Sequence, residues 1–117
     1  MTMIRTLVAA AALALAVPSG ALAKSPAYVG TWASEAAQCK AGQEMENAPM
    51  VVQAKRYDQH ETHCTFASVT ARGATWAVKA RCQVEGDTQR MSFTLAVSGD
   101  TLTMKEGSGT RTLQRCP

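Results

Sequence analysis

Residues 74–84 decide the fold expected of this chain, and they read Ala-Thr-Trp-Ala-Val-Lys-Ala-Arg-Cys-Gln-Val. Small or apolar side chains occupy the even positions, and mostly polar side chains occupy the odd positions. An alternation with a period of two residues is typical of a β-strand with one dry face and one solvated face. This strand predicts a sheet, and the flanking segments fit onto it as antiparallel hairpins.

The turns around this strand set the predicted register. We place loops at residues 72–74, 86–89, 99–100 and 107–110, where glycine marks each turn. The predicted cross-strand pairs include Ala71 with Thr75, Phe66 with Ala80, Cys64 with Cys82, Glu85 with Arg90, Cys82 with Phe93, Val97 with Leu102 and Met104 with Leu113.

Three earlier segments complete the sheet. Strands are predicted at residues 28–33, 50–57 and 61–71, and residues 34–49 form a long loop with one turn of helix at most. The fold class is therefore all-β, an up-and-down meander of about seven antiparallel strands that curls into a small barrel or half-barrel. The expected core consists of Trp32, Phe66, Trp76, Val78, Ala80, Phe93, Leu95, Val97, Leu102 and Met104.

The amino terminus predicts export. Arg5 precedes an apolar run over residues 7–17, and Ala21-Leu22-Ala23 follows as a cleavage signal. We therefore expect residues 1–23 to be a signal peptide and residues 24–117 to be one small domain without a membrane anchor. Mass spectrometry of the native protein should find Lys24 or a near neighbour as its first residue, and a native chain that still began at Met1 would contradict this prediction.

The four cysteines predict two disulfides, because an exported chain with an even cysteine count is usually oxidised. Cys64 and Cys82 are directly opposed in the predicted register. The remaining pair, Cys39 and Cys116, approaches if the barrel closes and the last strand lies beside the first. The bonds Cys64–Cys82 and Cys39–Cys116 are therefore expected.

The net charge argues against nucleic acids and membrane surfaces as partners. It is +3, and it becomes +2 without Arg5, the one charged residue among the first 23. That bias is too weak for a polyanion-binding protein. We expect a monomer that needs no cofactor.

Catalytic and metal-binding patterns are weak. His60 and His63 belong to the one cluster of metal-ligand types, but on a strand they point to opposite faces, so no metal is expected. Asp58 and His60 form a possible acid–base pair without a nucleophile beside them. We therefore predict that the protein is not an enzyme.

The residues Gly30-Thr31-Trp32 resemble the Gly-x-Trp opening of lipocalins and other calycin-like barrels, including small periplasmic barrels that inhibit proteases. This resemblance implies that Trp32 closes one end of a barrel. It also implies either a carrier of a small ligand or an inhibitor. The four cysteines depart from the usual pattern of those inhibitors.

These observations together predict a disulfide-stabilised binding protein of the periplasm or the exterior, acting on a protein partner and inhibitor-like. The expected surface is the loop at residues 34–49, with Glu44, Met45, Glu46 and Met50 as candidate binding residues. The alternative is a calycin-like carrier of a small apolar ligand. An interior cavity favours the carrier, whereas a filled interior with an exposed apolar patch near the two methionines favours protein binding.

Overall fold

Eight antiparallel strands form a closed barrel in the computed structural model, which describes residues 25–117. The strands are β1 (Gly30–Ala33), β2 (Met50–Gln53), β3 (Arg56–Gln59), β4 (Thr62–Arg72), β5 (Thr75–Val84), β6 (Asp87–Ser98), β7 (Thr101–Glu106) and β8 (Gly109–Arg115), and a short 3-10 helix spans Ala36–Lys40. Each strand pairs with the next in sequence, and β8 pairs with β1. The predicted all-β meander is confirmed as a closed barrel. The predicted signal peptide, residues 1–23, lies outside the described residues.

The strand count of about seven was wrong, because residues 50–57 form parts of two strands. β2 and β3 make a hairpin in which Val52 pairs with Tyr57 and Gln53 pairs with Arg56. The turn between them is Ala54-Lys55, which contains no residue typical of a tight turn. The additional strand places Tyr57 in the core.

The β4–β5 hairpin confirms two predicted cross-strand pairs, one of which is the disulfide pair. Phe66 lies opposite Ala80, and Cys64 lies opposite Cys82. Nearer the turn the prediction was wrong by one residue, since the loop has two residues and Ala71 pairs with Trp76. A β-bulge between Phe66 and Ser68 absorbs the extra residue and restores the register.

The β5–β6 register was wrong by four residues. Glu85 and Gly86 both have positive φ and form a two-residue turn, so the loop is shorter than predicted. Cys82 therefore pairs with Gln89, and Arg90 pairs with Arg81 instead of Glu85. A shift of four residues is even, so the same side chains still face the interior.

Of the last two hairpins, one has the predicted register and the other does not. Val97 pairs with Leu102, as predicted. Leu113 pairs with Leu102 instead of Met104, because the β7–β8 turn also contains only two residues. Again the error is an even number of residues, and Leu113 stays inside the barrel.

Side chains fill the centre of the barrel, and an apolar cavity opens beside β4. Eight of the ten predicted core residues are buried, while Trp76 and Val97 are half-buried. Other buried side chains are Tyr28, Met50, Val52, Tyr57 and Leu113. The aromatic rings pack edge to face through the centre, with Phe66 and Phe93 centroids 5.8 Å apart.

Trp32 lies fully buried at one end of the barrel. Its indole Nε1 donates a hydrogen bond to the carbonyl of Tyr28 (2.9 Å), and the Arg115 guanidinium lies 4.2 Å from the ring centroid. Gly30 allows this close approach, because a Cβ there would lie 2.7 Å from Arg115 Nη1.

Both predicted disulfides are confirmed. Cys64–Cys82 joins β4 to β5 inside the core, and Cys39–Cys116 joins the β1–β2 connection to the end of β8, with Cα atoms 5.6 Å apart. Two disulfides indicate an oxidising environment. Within residues 25–117, no helix is long and apolar enough to cross a membrane.

Candidate functional site

The candidate site is the segment of residues 34–49, which we call the β1–β2 loop. It opens with the 3-10 helix, at whose start the Gln38 side-chain oxygen accepts hydrogen bonds from the amides of Ser34 (2.9 Å) and Glu35 (3.3 Å). Cys39 then ties the loop to Cys116. The first half of the loop is therefore fixed to the seam between β1 and β8.

The second half of the loop is fixed to the neighbouring hairpin. Gln43 Nε2 donates to the carbonyl of Pro49 (2.9 Å), and Gln43 Oε1 accepts a hydrogen bond from the His60 amide (2.7 Å). Gln59 Nε2 donates to the carbonyl of Ala48 (3.1 Å). These bonds connect the loop to β3 and the β3–β4 turn, so both halves have covalent or hydrogen-bonded anchors.

The tip between the two anchors is formed by Glu44, Met45 and Glu46, all of them exposed. Met45 is 51% exposed and is the one exposed large hydrophobic side chain among residues 25–117. Its amide donates to the Gly42 carbonyl (3.1 Å), and its carbonyl accepts from the Ala48 amide (3.0 Å). The tip therefore presents an apolar side chain between two carboxylates on a hydrogen-bonded turn.

Met50, the fourth candidate binding residue, is fully buried. It opens β2 and pairs with Trp32, and its side chain belongs to the core. Met50 therefore supports the base of the loop, and Met45 is the accessible methionine.

The two histidines occupy separate places. His60 lies in the β3–β4 turn with a φ of 53°, and its Nδ1 lies 3.0 Å from the Gln43 carbonyl oxygen. The proposed pairing of Asp58 with His60 was wrong, because the β3–β4 register puts His63 beside Asp58, with His63 Nδ1 2.6 Å from Asp58 Oδ1. In the described part of the chain, no group of three or more potential metal ligands forms.

Asp58 also receives two hydrogen bonds from Arg56, at 2.7 and 3.0 Å. These bonds, together with His63, hold the pKa of the Asp58 carboxyl below its usual value of 3.8. The cluster joins β3 to β4 on the outer face of the barrel, and its carboxylate is engaged on both sides. We read it as a structural ion pair beside the loop anchor.

This cluster predicts a small loss of stability in acid. A lowered pKa in the folded state means that the contribution is complete well above pH 3.8 and disappears as the pH falls through the folded pKa. Asp58→Asn should remove this acid-dependent part of the stability, which is less than ~1 kcal/mol, because the partners Arg56 and His63 are half-exposed and solvent screens the pairs. Urea unfolding at pH 3 and pH 7 measures it, with Asp87→Asn as the control. An unchanged pH dependence in Asp58→Asn would contradict the assignment.

By its fold and its loop, the protein belongs to the class of small antiparallel barrels that are stabilised by disulfides and carry one long anchored loop. A scan against family models, a search of curated proteins and a search of solved structures each found no match for the chain. The function is therefore inferred from the geometry of the loop and the barrel.

Proposed function

We propose that this chain is an exported protein-binding module, inhibitor-like and without catalysis, that acts in the periplasm or outside the cell. Its contact surface is the tip of the β1–β2 loop. The single observation that carries the proposal is Met45, exposed between Glu44 and Glu46 on a loop with anchors on both sides.

The anchors are the reason for choosing this surface. One exposed methionine is ordinary on a protein surface, and a mobile loop loses conformational entropy when it docks. Here the Cys39–Cys116 bond and the Gln43–His60 contact hold the loop before any partner arrives. Methionine also adapts its shape to an apolar pocket, which suits the centre of a contact.

The charges of the tip indicate which kind of partner surface is complementary to it. Glu44 and Glu46 flank the methionine, so a complementary surface has an apolar pocket with lysine or arginine at its rim. Attraction between exposed charges weakens with salt, and the association rate should therefore fall as ionic strength rises.

The alternative of a small-ligand carrier has less support. The rings of Tyr57, Phe66 and Phe93 lie with centroids 5.7–6.3 Å apart and occupy the space that a calycin-like cup would leave open. Such packing supports a binding module that uses its outer surface, and a carrier would have to hold its ligand in the apolar cavity beside Tyr28 and Trp76 instead. The lipocalin-like opening at Gly30 to Trp32 stays a resemblance, and the inhibitor-like role is part of this proposal.

The test is capture of a partner from envelope extract of the producing cell by the processed protein. We expect one or a few proteins, held in a salt-sensitive way. Met45→Ser should lose them, and Glu44→Gln with Glu46→Gln should weaken their capture. The matched control is Ala77→Ser, an exposed position on the outer face of β5. Equal capture by Met45→Ser and the control, or no capture by the wild type, would contradict the proposal.

A further inference from the structure

One strand of the barrel has an uncovered edge at the end opposite the loop tip. β3 pairs with β4 only from Thr62 to Thr65, and the Phe66 amide adds one bond to the Lys55 carbonyl (2.8 Å). β4 continues to Arg72, paired with β5 on one side. Among the residues that the structure describes, no strand pairs with the other side of residues 67–72.

Some backbone groups of this edge have no strand partner in the described part of the chain. The two-residue turn that follows makes Arg72 part of a hydrogen-bonded pair with β5. Hydrogen-bonding direction alternates along a strand, so Thr70 also faces β5, whereas the N–H and C=O groups of Val69 and Ala71 face away from it. Those groups are the template on which another strand can pair.

An apolar cavity of about 490 Å³ lies beside the edge. Its walls include Tyr28, Phe66, Val69 and Trp76. The Tyr28 and Trp76 rings meet edge to face with centroids 5.1 Å apart, and the Tyr28 hydroxyl already donates to the Ala54 carbonyl (2.6 Å). The cavity therefore suits an aromatic or large aliphatic side chain and leaves no tyrosine hydroxyl in need of a partner.

We propose that this edge and cavity, which we call the β4 notch, bind an extended peptide segment of a partner protein by strand addition. Backbone hydrogen bonds to Val69 and Ala71 supply affinity, and one large apolar side chain enters beside Trp76 and supplies specificity. Lys55 lines the cavity and Arg72 ends the edge, so the segment carries acidic residues at its flanks.

The composition of the edge supports this assignment. Exposed edges are usually protected by inward charges, proline or bulges. Here the bulge at Ala67 and the charge of Arg72 lie at the two ends. The stretch between them, residues 68–71, reads Ser-Val-Thr-Ala and has neither charge nor proline.

The β4 notch is distinct from the β1–β2 loop, and its test does not depend on the loop. The probe is a capped pentapeptide with a central phenylalanine, a valine on each side and a glutamate at each end. Titrated into the ¹⁵N-labelled processed protein, it should shift the amides of Val69 and Ala71 and the indole of Trp76, with saturation. Copies of the probe with leucine or alanine at the centre should bind in the order phenylalanine, leucine, alanine.

N-methylation of the probe separates strand addition from simple burial of a side chain. Methyl groups on alternate residues remove either the amides that face the protein or those that face solvent. The pattern that removes the amides facing the protein should weaken binding at least tenfold, and the pattern that removes the amides facing solvent should not. Equal effects of the two patterns, or shifts confined to other residues, would overturn the proposal.

Protein variants provide the second measurement. Ala71→Pro removes an N–H that faces the notch and leaves the ladder to β5 intact, and it should weaken binding at least tenfold. Trp76→Ala should do the same through the cavity. Val97→Ala, at a half-buried core position that does not line the cavity, should keep the affinity within twofold. Unchanged binding in Ala71→Pro and Trp76→Ala would overturn the proposal.

Two results that assign the edge to another occupant would also overturn the proposal. Shifts of the Val69 and Ala71 amides that grow with protein concentration, without probe, would assign the edge to a second copy of this chain. Probe binding that disappears when residues 1–23 are retained would assign it to the chain's own amino-terminal segment.

Discussion

Replacing Cys39 and Cys116 together with alanine is expected to lower the melting temperature by at least about 10 °C. The bond joins residues 77 apart in sequence, against 18 for Cys64–Cys82. Chain entropy assigns the longer closure ~4.5 kcal/mol and the shorter ~3 kcal/mol, and engineered bonds often contribute less. For a domain of this size each kcal/mol corresponds to roughly 4–8 °C.

The seam that this bond fastens is the weakest joint of the barrel. β1 has four residues, and it pairs with β8 through Trp32 with Arg115 and Ala33 with Gln114. One more backbone bond runs from the Cys116 amide to the Thr31 carbonyl (2.7 Å). Without the disulfide, these backbone bonds and the contacts of the Arg115 guanidinium with Trp32 and the Val29 carbonyl remain to oppose the opening of this seam.

Calorimetry and amide exchange measure the effect. The double variant should lose protection in β1, β8 and residues 35–49. The matched control is the Cys64→Ala, Cys82→Ala variant, which should also be less stable, because those sulfurs are buried, but should keep the loop protected. A Cys39→Ala, Cys116→Ala variant that melts like the wild type would contradict the anchored loop.

Truncation of Phe93 to alanine is expected to cost ~3–5 kcal/mol of unfolding free energy. The ring is buried, with its centroid 5.7 Å from that of Tyr57 and 5.8 Å from that of Phe66. Removing it from the middle of this group leaves a cavity that neighbouring rings on rigid strands cannot close.

Urea unfolding of Phe93→Ala, compared with Ser92→Ala, measures this cost. Ser92 is the preceding residue and its side chain is exposed on the outer face, so its removal should change stability by less than ~0.5 kcal/mol. Equal stability of the two variants would show that the barrel interior is loosely filled and would reopen the ligand-carrier alternative.

The inward face of the barrel was predictable because the alternation of side chains is preserved when the register is wrong by an even number of residues. Val78, Ala80 and Leu95 are buried as expected, although the β5–β6 register moved by four residues. The Cys64 to Cys82 pairing survived because the bulge at Ala67 cancels the one-residue error at the turn. The first outcome follows from the two-residue period of strands, whereas the second depends on the bulge, because an uncancelled one-residue error would have turned Cys64 to the other face.

The turns were less predictable because their residues are not the usual ones. Glu85 adopts a φ of 51°, which favours glycine or asparagine, and therefore shortens a loop that appeared to begin at Gly86. The turn at Ala54-Lys55 has no such residue at all, which concealed β3 and with it the place of Tyr57.

The candidate site was predictable as a segment and not in its details. Length, and the pairing of Cys39 with Cys116, indicated an anchored loop. The contact of Gln43 with His60 joins residues 17 apart through a turn whose position depends on the hidden strand. Met50 was predicted correctly as the first residue of a strand, but its side chain was assigned to the binding surface beside the loop, whereas it is buried opposite Trp32.

Site-specific photocrosslinking from position 45 tests whether the tip of the β1–β2 loop contacts a partner protein. A photoreactive amino acid in place of Met45, in the producing cell, should give a discrete adduct with a partner protein, whereas the same amino acid in place of Ser92 should not. The adduct should decrease when unlabelled processed protein is added, and should persist in a Val97→Ala background. Equal adducts from both positions, or none from position 45, would contradict the account of the loop as the binding surface.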